Sequence, residues 1–180
     1  MAQFHLIRHG QASFGAANYD KLSQLGHQQA RWLGEYYRVR GETFDALVTG
    51  DLVRHVETGE GIQEGLGSSL AADLQPGLNE FDFHSIVDAY LSAHPEEVPP
   101  EGASMAAFYR VLVVSSGGAI AMWMRHMLNT ADDTVVELNL QIRNTGVTQG
   151  FFNKNVYRLS IFNQVPHLDR EDRGDAITYS

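Results

Sequence analysis

The 180-residue chain has no cysteine, which excludes disulfides, thiolate metal sites and cysteine nucleophiles together. Positive charge is scarce as well. Lys and Arg number 13 against 22 Asp and Glu, a formal net charge of −9 at pH 7. That balance disfavours nucleic acid and anionic membrane surfaces as general partners, so any anionic ligand needs a local cluster of cations. No apolar run approaches the ~20 residues of a membrane span, and Met1-Ala2-Gln3-Phe4 is not a basic stretch leading into an apolar one. Internal repeats and low-complexity tracts are missing too. What remains is a soluble, cytoplasmic, globular protein with a single domain over 1–180. At 43% hydrophobic, its core needs no staples; a chain of this length hides about 70% of its unfolded surface. Nothing in the sequence sets an oligomeric state.

Three short apolar runs are present: Phe4 to Ile7, Phe44 to Val48 and Val111 to Val114. Each is too short for a helix and is followed by a polar or glycine-bearing turn, which is how buried strands read. The turns are Arg8-His9-Gly10, Thr49-Gly50-Asp51 and Ser115-Ser116-Gly117-Gly118, and helical spacing follows each. Ser23 is placed to N-cap a helix carrying Leu25, Gln29, Ala30, Leu33 and Tyr37. A second helix runs from Leu52 through Val56 to Ile62 and Leu66. A third has Ile120, Trp123, Met124, Met127 and Leu128 on one face, a stripe that belongs to a core. Strands alternating with helices predict a three-layer α/β sandwich, with a mostly parallel central sheet and helices on both faces. Val136, Leu138, Leu140 and Ile142 alternate as a strand would, with a short helix as the alternative. Val147-Thr148 and Val156 to Phe162 read as strands, and the polar tail from Pro166 as a surface segment. Between Phe81 and Arg110 lies a helical-looking insert. Its junction is awkward, because helical Ala103 to Arg110 meets the strand-like Val111 without a connection. A break or strained joint is expected at Arg110–Val111.

The three turns fall at the carboxyl ends of the strands, where ligands of open α/β sheets sit. Arg8 offers a planar fork of donors suited to phosphate or carboxylate, and His9 a side chain that titrates near neutrality. Arg54, one helical turn past Asp51, adds a second fork. Ser116 and the amides of Gly117 and Gly118 would open a helix, where unpaired N–H groups and the helix dipole favour an anion. All three turns answer one demand, a phosphoryl group.

Leu6-Ile7-Arg8-His9-Gly10-Gln11-Ala12-Ser13 closely resembles the signature of the histidine phosphatase superfamily, the phosphoglycerate mutase-like family. The likeness continues through Leu22 to Ala30, Asp51 to Thr58, Leu78-Asn79-Glu80-Phe81, Val113 to Gly118 and Phe162 to Leu168. Six ordered matches cover nearly the whole chain. The resemblance implies a phosphoglycerate mutase-like fold and a phosphomonoesterase acting on a small phosphorylated substrate without metal or cofactor. His9 would be the nucleophile that forms a phosphohistidine. Arg8 and Arg54 would hold the phosphoryl oxygens, with Gln11 and Gly117 as further substrate contacts. Glu80 would protonate the leaving oxygen and then activate water. A catalytically decayed phosphate-ester-binding protein and a mutase-type phosphotransferase are the alternatives.

The chain departs from the family in four places. Ser116 stands where the family has a second histidine before two glycines. Gly15, preceded by Phe14, stands where an amide is usual. Gly59 replaces the alanine after Thr58, and the insert is a shortened version of the family's helical cap. Losing a charge-assisted hydrogen bond at position 116 costs on the order of 1.5–3 kcal/mol, roughly 10- to 150-fold in rate, so the serine predicts a slow enzyme. Ser116 reads equally as a catalytic substitute and as a helix cap. His5, His27, His126 and His167 read as structural. His55 and His84 adjoin Arg54 and Glu80 and are secondary candidates to restore the missing imidazole. Ser116→His is expected to speed turnover; an unchanged or lower rate would mean that the site has adapted around serine.

Overall fold

Alternating burial along three central strands sets the layers. In β1 (Ala2–Arg8), Phe4 and Leu6 face one side of the sheet and Ile7 the other. In β4 (Arg110–Ser115), Val111 and Val113 share the first side, Leu112 and Val114 the second. The computed structural model describes residues 2–13, 20–79, 109–153 and 156–179. The remaining elements are α1 (Gln24–Val39), β2 (Ala46–Thr49), α2 (Val53–Leu66), β3 (Ala72–Leu74), α3 (Gly117–Leu128), α4 (Asp132–Gln141), β5 (Val147–Asn153) and β6 (Val156–Gln164). Ala30, Leu33 and Tyr37 of α1 and Ile62 of α2 pack on the second face, while Ile120, Trp123 and Met124 of α3 pack on the first. The Trp123 stripe is therefore core, with the Trp123 ring edge-on to Phe4 at 4.2 Å between centroids. Fully buried residues such as Ile7, Leu33 and Leu112 each contribute about 1.5–3 kcal/mol over exposure.

The six strands lie in the order β3-β2-β4-β1-β5-β6, with β3, β2, β4 and β1 parallel, β5 antiparallel to β1, and β6 antiparallel to β5. This is the expected three-layer sandwich with a mostly parallel sheet. β1 and β4 are neighbours, yet β1 leads through α1 across β4 to β2, while β4 leads through α3 and α4 past β1 to β5. Connections leaving adjacent strands in opposite directions open a crevice beyond their carboxyl ends. Register brings those ends level, pairing Arg8 with Ser115 and Thr49 with Val114.

Several expectations change. The joint at Arg110–Val111 is no break: Arg110 is the first residue of β4, and its N–H donates to Asp45 at 2.7 Å. Residues 132–141 form a helix rather than a strand. The alternation of Val136 and Leu140 misleads because both are exposed. The tail does not simply lie on the surface; Val165, Leu168 and Ala176 are buried in a small third core with Leu25, Trp32 and Ile177. The insert expected over 81–110, apart from its last two residues, lies outside the described residues, as do Glu80, His84, Phe14 and Gly15. Among the described residues no helix is long and apolar enough to cross a membrane.

α1 and α2 touch backbone to backbone through glycines. A Cβ on Gly34 would lie 2.0 Å from the Ile62 carbonyl oxygen, and one on Gly65 2.1 Å from that of Arg31. Gly34→Ala is expected to lower unfolding free energy by about 2 kcal/mol, overpacking outweighing the gain in helix propensity. Urea unfolding with an unchanged m-value checks this; a stabilised variant would contradict it.

Candidate active site

Arg8 ends β1 with its side chain 7% exposed. Its Nη1 donates to the Ile142 carbonyl, and its guanidinium lies beside the bare Cα of Gly117, where a Cβ would sit 3.4 Å from Cζ and Nε. The arginine thus runs beneath the N-terminus of α3. Thr145, held at φ 54°, donates its N–H to the carbonyls of Arg8 and His9 beyond the end of the strand. A β-branched residue rarely adopts that conformation, and sequence spacing gives no sign of this support.

His9 follows, 5% exposed. Its Nδ1–H donates to the Gly10 carbonyl at 2.8 Å, which leaves the Nε2 lone pair outward, and Arg54 Nε meets that nitrogen at 3.2 Å. Burial holds the imidazole well below its ordinary pKa. The Gly10 hydrogen bond opposes this, while His55, Arg8 and Arg54 add to the depression. The lowered pKa favours the neutral imidazole, whose Nε2 accepts from the Arg54 Nε–H. The Gly10 N–H donates to Thr58 Oγ1, which donates in turn to the Arg54 carbonyl, tying the turn to the first turns of α2.

Arg54 is held by a residue that no motif or spacing marks. Asp20 accepts from Arg54 Nη1 at 2.7 Å and from the Val53 N–H at 2.9 Å, so one carboxylate orients the guanidinium and caps α2. Gln11 follows the turn. Its side-chain oxygen accepts from Ser23 Oγ and its N–H donates to Gln29, which makes it a brace for the start of α1. Ser23 caps that helix as expected, accepting from the Gly26 N–H.

Ser116 occupies the N-cap position of α3 but makes no capping bond. Its hydroxyl instead lies 2.9 Å from His55 Nε2, and the N-terminal amides of α3 are left without a side-chain cap. Buried Gly117 begins the helix, so a phosphoryl oxygen there would meet free N–H groups and the positive end of the dipole. His55 is fully buried, its ring 5.5 Å from that of His9. Burial, then Arg54, lower its pKa to about 4 against upward pulls from Asp20, the Asn79 amide and Asp51. Leu78 and Asn79, just before Glu80, are anchored: Ser115 Oγ donates to the Leu78 carbonyl and Asn79 Nδ2 to Asp51.

Of the other described histidines, His5 and His167 are buried and structural, while His27 and His126 lie exposed at the surface. His5 is buried against Tyr37 and Phe44 and held down to about 3 by burial and then Arg110; His167 is buried against Thr145 and held to about 3 by burial and then Arg173. A histidine kept neutral in the folded state binds no proton as pH drops below 6.5, while the unfolded chain does. Stability is therefore full above pH 6.5 and is lost towards pH 3–4, by about 1.4 kcal/mol per pH unit for each such histidine. Thermal midpoints are expected to fall steadily from pH 6.5 to 4.5, and a flat profile would contradict the neutral burial of His5, His9, His55 and His167.

A family model described as histidine phosphatase superfamily (branch 1) matches residues 4–107. No curated protein matches the chain. Among solved structures, a mycobacterial glucosyl-3-phosphoglycerate phosphatase with inorganic phosphate is similar at a TM-score of 0.66 and 20% identity, covering 94% of this chain and 100% of its own. A phosphoserine phosphatase mutant from Entamoeba histolytica with phosphoserine gives 0.63 and 21%, over 93% and 100%. The protein histidine phosphatase SixA with tungstate gives 0.63 and 17%, over 93% and 99%. At these identities the likeness establishes a shared fold.

Proposed function

The chain belongs to the histidine phosphatase superfamily, and from that premise we propose that it is a phosphomonoesterase whose nucleophile is His9 Nε2. The observation that carries this reading is the state of His9. Its Nδ1–H is tied to the Gly10 carbonyl, so Nε2 carries the lone pair, and the Arg54 Nε–H that bonds to that nitrogen at 3.2 Å would turn to a phosphoryl oxygen once the ester binds.

In the proposed cycle the Nε2 lone pair attacks phosphorus and the bond to the leaving oxygen breaks. That oxygen takes a proton from an acid, for which the family resemblance supplies Glu80. Water then attacks the phosphohistidine, giving its proton to the carboxylate, and the P–N bond returns its electron pair to Nε2. Arg8, Arg54 and the α3 amides stabilise the charge on the equatorial oxygens. No metal or cofactor takes part. The substrate class is a small phosphate ester, since the cations form a local cluster inside a protein of net charge −9 and long polyanions meet the acidic remainder. The small phosphate ester and the oxyanions bound in the similar structures are in keeping with this class.

The rival reading, a phosphate-ester-binding protein without turnover, uses the same two arginines, so ligand binding does not separate them. Hydrolysis of a generic aryl phosphate does. Wild type is expected to release inorganic phosphate in a reaction lost in His9→Ala; equal slow hydrolysis by both proteins would overturn the enzyme reading.

A further inference from the structure

Ser116 sits where an anion-binding helix begins, yet its hydroxyl turns from the helix to an imidazole. Behind that imidazole runs a chain of polar groups whose proton order can be read without seeing hydrogens. Asp51 only accepts, so the amide nitrogen of Asn79 must face it. Asn79 Oδ1 and His55 Nδ1 then both point at the bare Cα of Gly50, where a Cβ would lie 2.4 Å and 2.1 Å from them. Neither buried atom has a hydrogen-bond partner, and the amide pulls the imidazole pKa upward. A hydrogen on Nδ1, the tautomer that an amide oxygen on that side favours, leaves Nε2 to accept from the Ser116 hydroxyl.

We propose that Ser116, backed by His55 and aligned through Asn79 by Asp51, takes the place of the family's second histidine as a hydrogen-bond donor to the phosphoryl group on His9. The proposal rests on the phosphatase reading and deepens it. The groups facing His55 are Arg54 and Asp20, Asp51 and Asn79, His9, and Ser116. Burial and Arg54 favour the neutral imidazole. A phosphoryl dianion reverses that balance: one proton from solvent binds Nε2, Nε2–H donates to Ser116 Oγ, and the hydroxyl turns its own hydrogen to a phosphoryl oxygen. No bond to phosphorus is made or broken by the pair. Ser116 would touch the substrate, while His55, acting through it, is a positioning residue. The imidazole has in effect moved from the start of α3 to the first turn of α2, a few ångströms across the same pocket.

The test is steady-state hydrolysis of an aryl phosphate by the full chain, with His9→Ala as the control for the parent reading. Ser116→Ala removes only a partly buried hydroxyl and is expected to lower kcat 10- to 100-fold with KM little changed. His55→Gln is expected to match it, and Ser116→Ala/His55→Gln to be no worse than either alone, since the residues act as a unit. Contrary to the expectation from the sequence, Ser116→His alone is expected to leave the rate unchanged or lower, because its imidazole would collide with His55, 2.9 Å from the serine hydroxyl; combined with His55→Ala it is expected to restore most of the wild-type kcat. If wild-type hydrolysis does not depend on His9, the phosphatase reading fails. If it depends on His9 but Ser116→Ala stays within threefold of wild type, or if Ser116→His alone raises kcat tenfold, the inference fails while the phosphatase reading stands.

Discussion

Arg8→Ala is expected to lower kcat/KM for an aryl phosphate by roughly 10³, about 4 kcal/mol of transition-state stabilisation. The size follows from how the side chain is held. Arg8 is almost fully buried, with one nitrogen fixed on the Ile142 carbonyl and the guanidinium beside Gly117, so its donors are aimed before the substrate arrives. Preorganised donors in a poorly solvated site act more strongly than mobile ones in water. Arg8→Lys keeps the charge but loses the planar fork and is expected to recover no more than about tenfold of the loss. Activity within tenfold of wild type would mean that Arg54 and the α3 amides carry the phosphoryl charge without Arg8.

Much of this geometry was legible in the residues, for a definite reason. Central parallel strands are buried on both faces, so they appear as short apolar runs, and their carboxyl ends are marked by the turns that follow. That is why Arg8-His9, Arg54 and Ser116 could be assigned to one pocket before the fold was known, and why Arg8 and Ser115 turn out to be paired in register. β3 gives no such signal, since its three residues are all exposed. The alternation of α4 misleads for the related reason that Val136 and Leu140 are exposed, while Val135 and Leu138 are what pack against the core. The tail appears polar, but the few apolar residues among its charges are buried against α1. The supporting contacts were hidden altogether. Asp20 on Arg54, Thr145 beneath the end of β1, and Asn79 and Asp51 behind His55 are meetings of distant segments, and no spacing rule encodes them. His55 adjoined a candidate arginine in sequence; only the fold brings it to Ser116.

His9→Ala is expected to have the larger effect of the two, a loss of roughly 10⁴ or more in kcat, since removing a nucleophile abolishes a route rather than weakening a step. Residual hydrolysis would come from Arg8, Arg54 and the α3 amides, which still polarise a bound phosphate for attack by water. Binding of the ester should persist in this variant, because those groups do not depend on the imidazole. The fold should persist as well, and acid stability should improve slightly, because one histidine buried in its neutral form is gone.

The most direct measurement is to trap the intermediate. Wild type mixed with a rapidly cleaved aryl phosphate and quenched in alkali is expected to carry one phosphoryl group on the peptide containing His9, at Nε2, and the His9→Ala protein is expected to carry none. Steady hydrolysis by wild type with no phosphohistidine at His9, under conditions where its release is slower than its formation, would contradict the account.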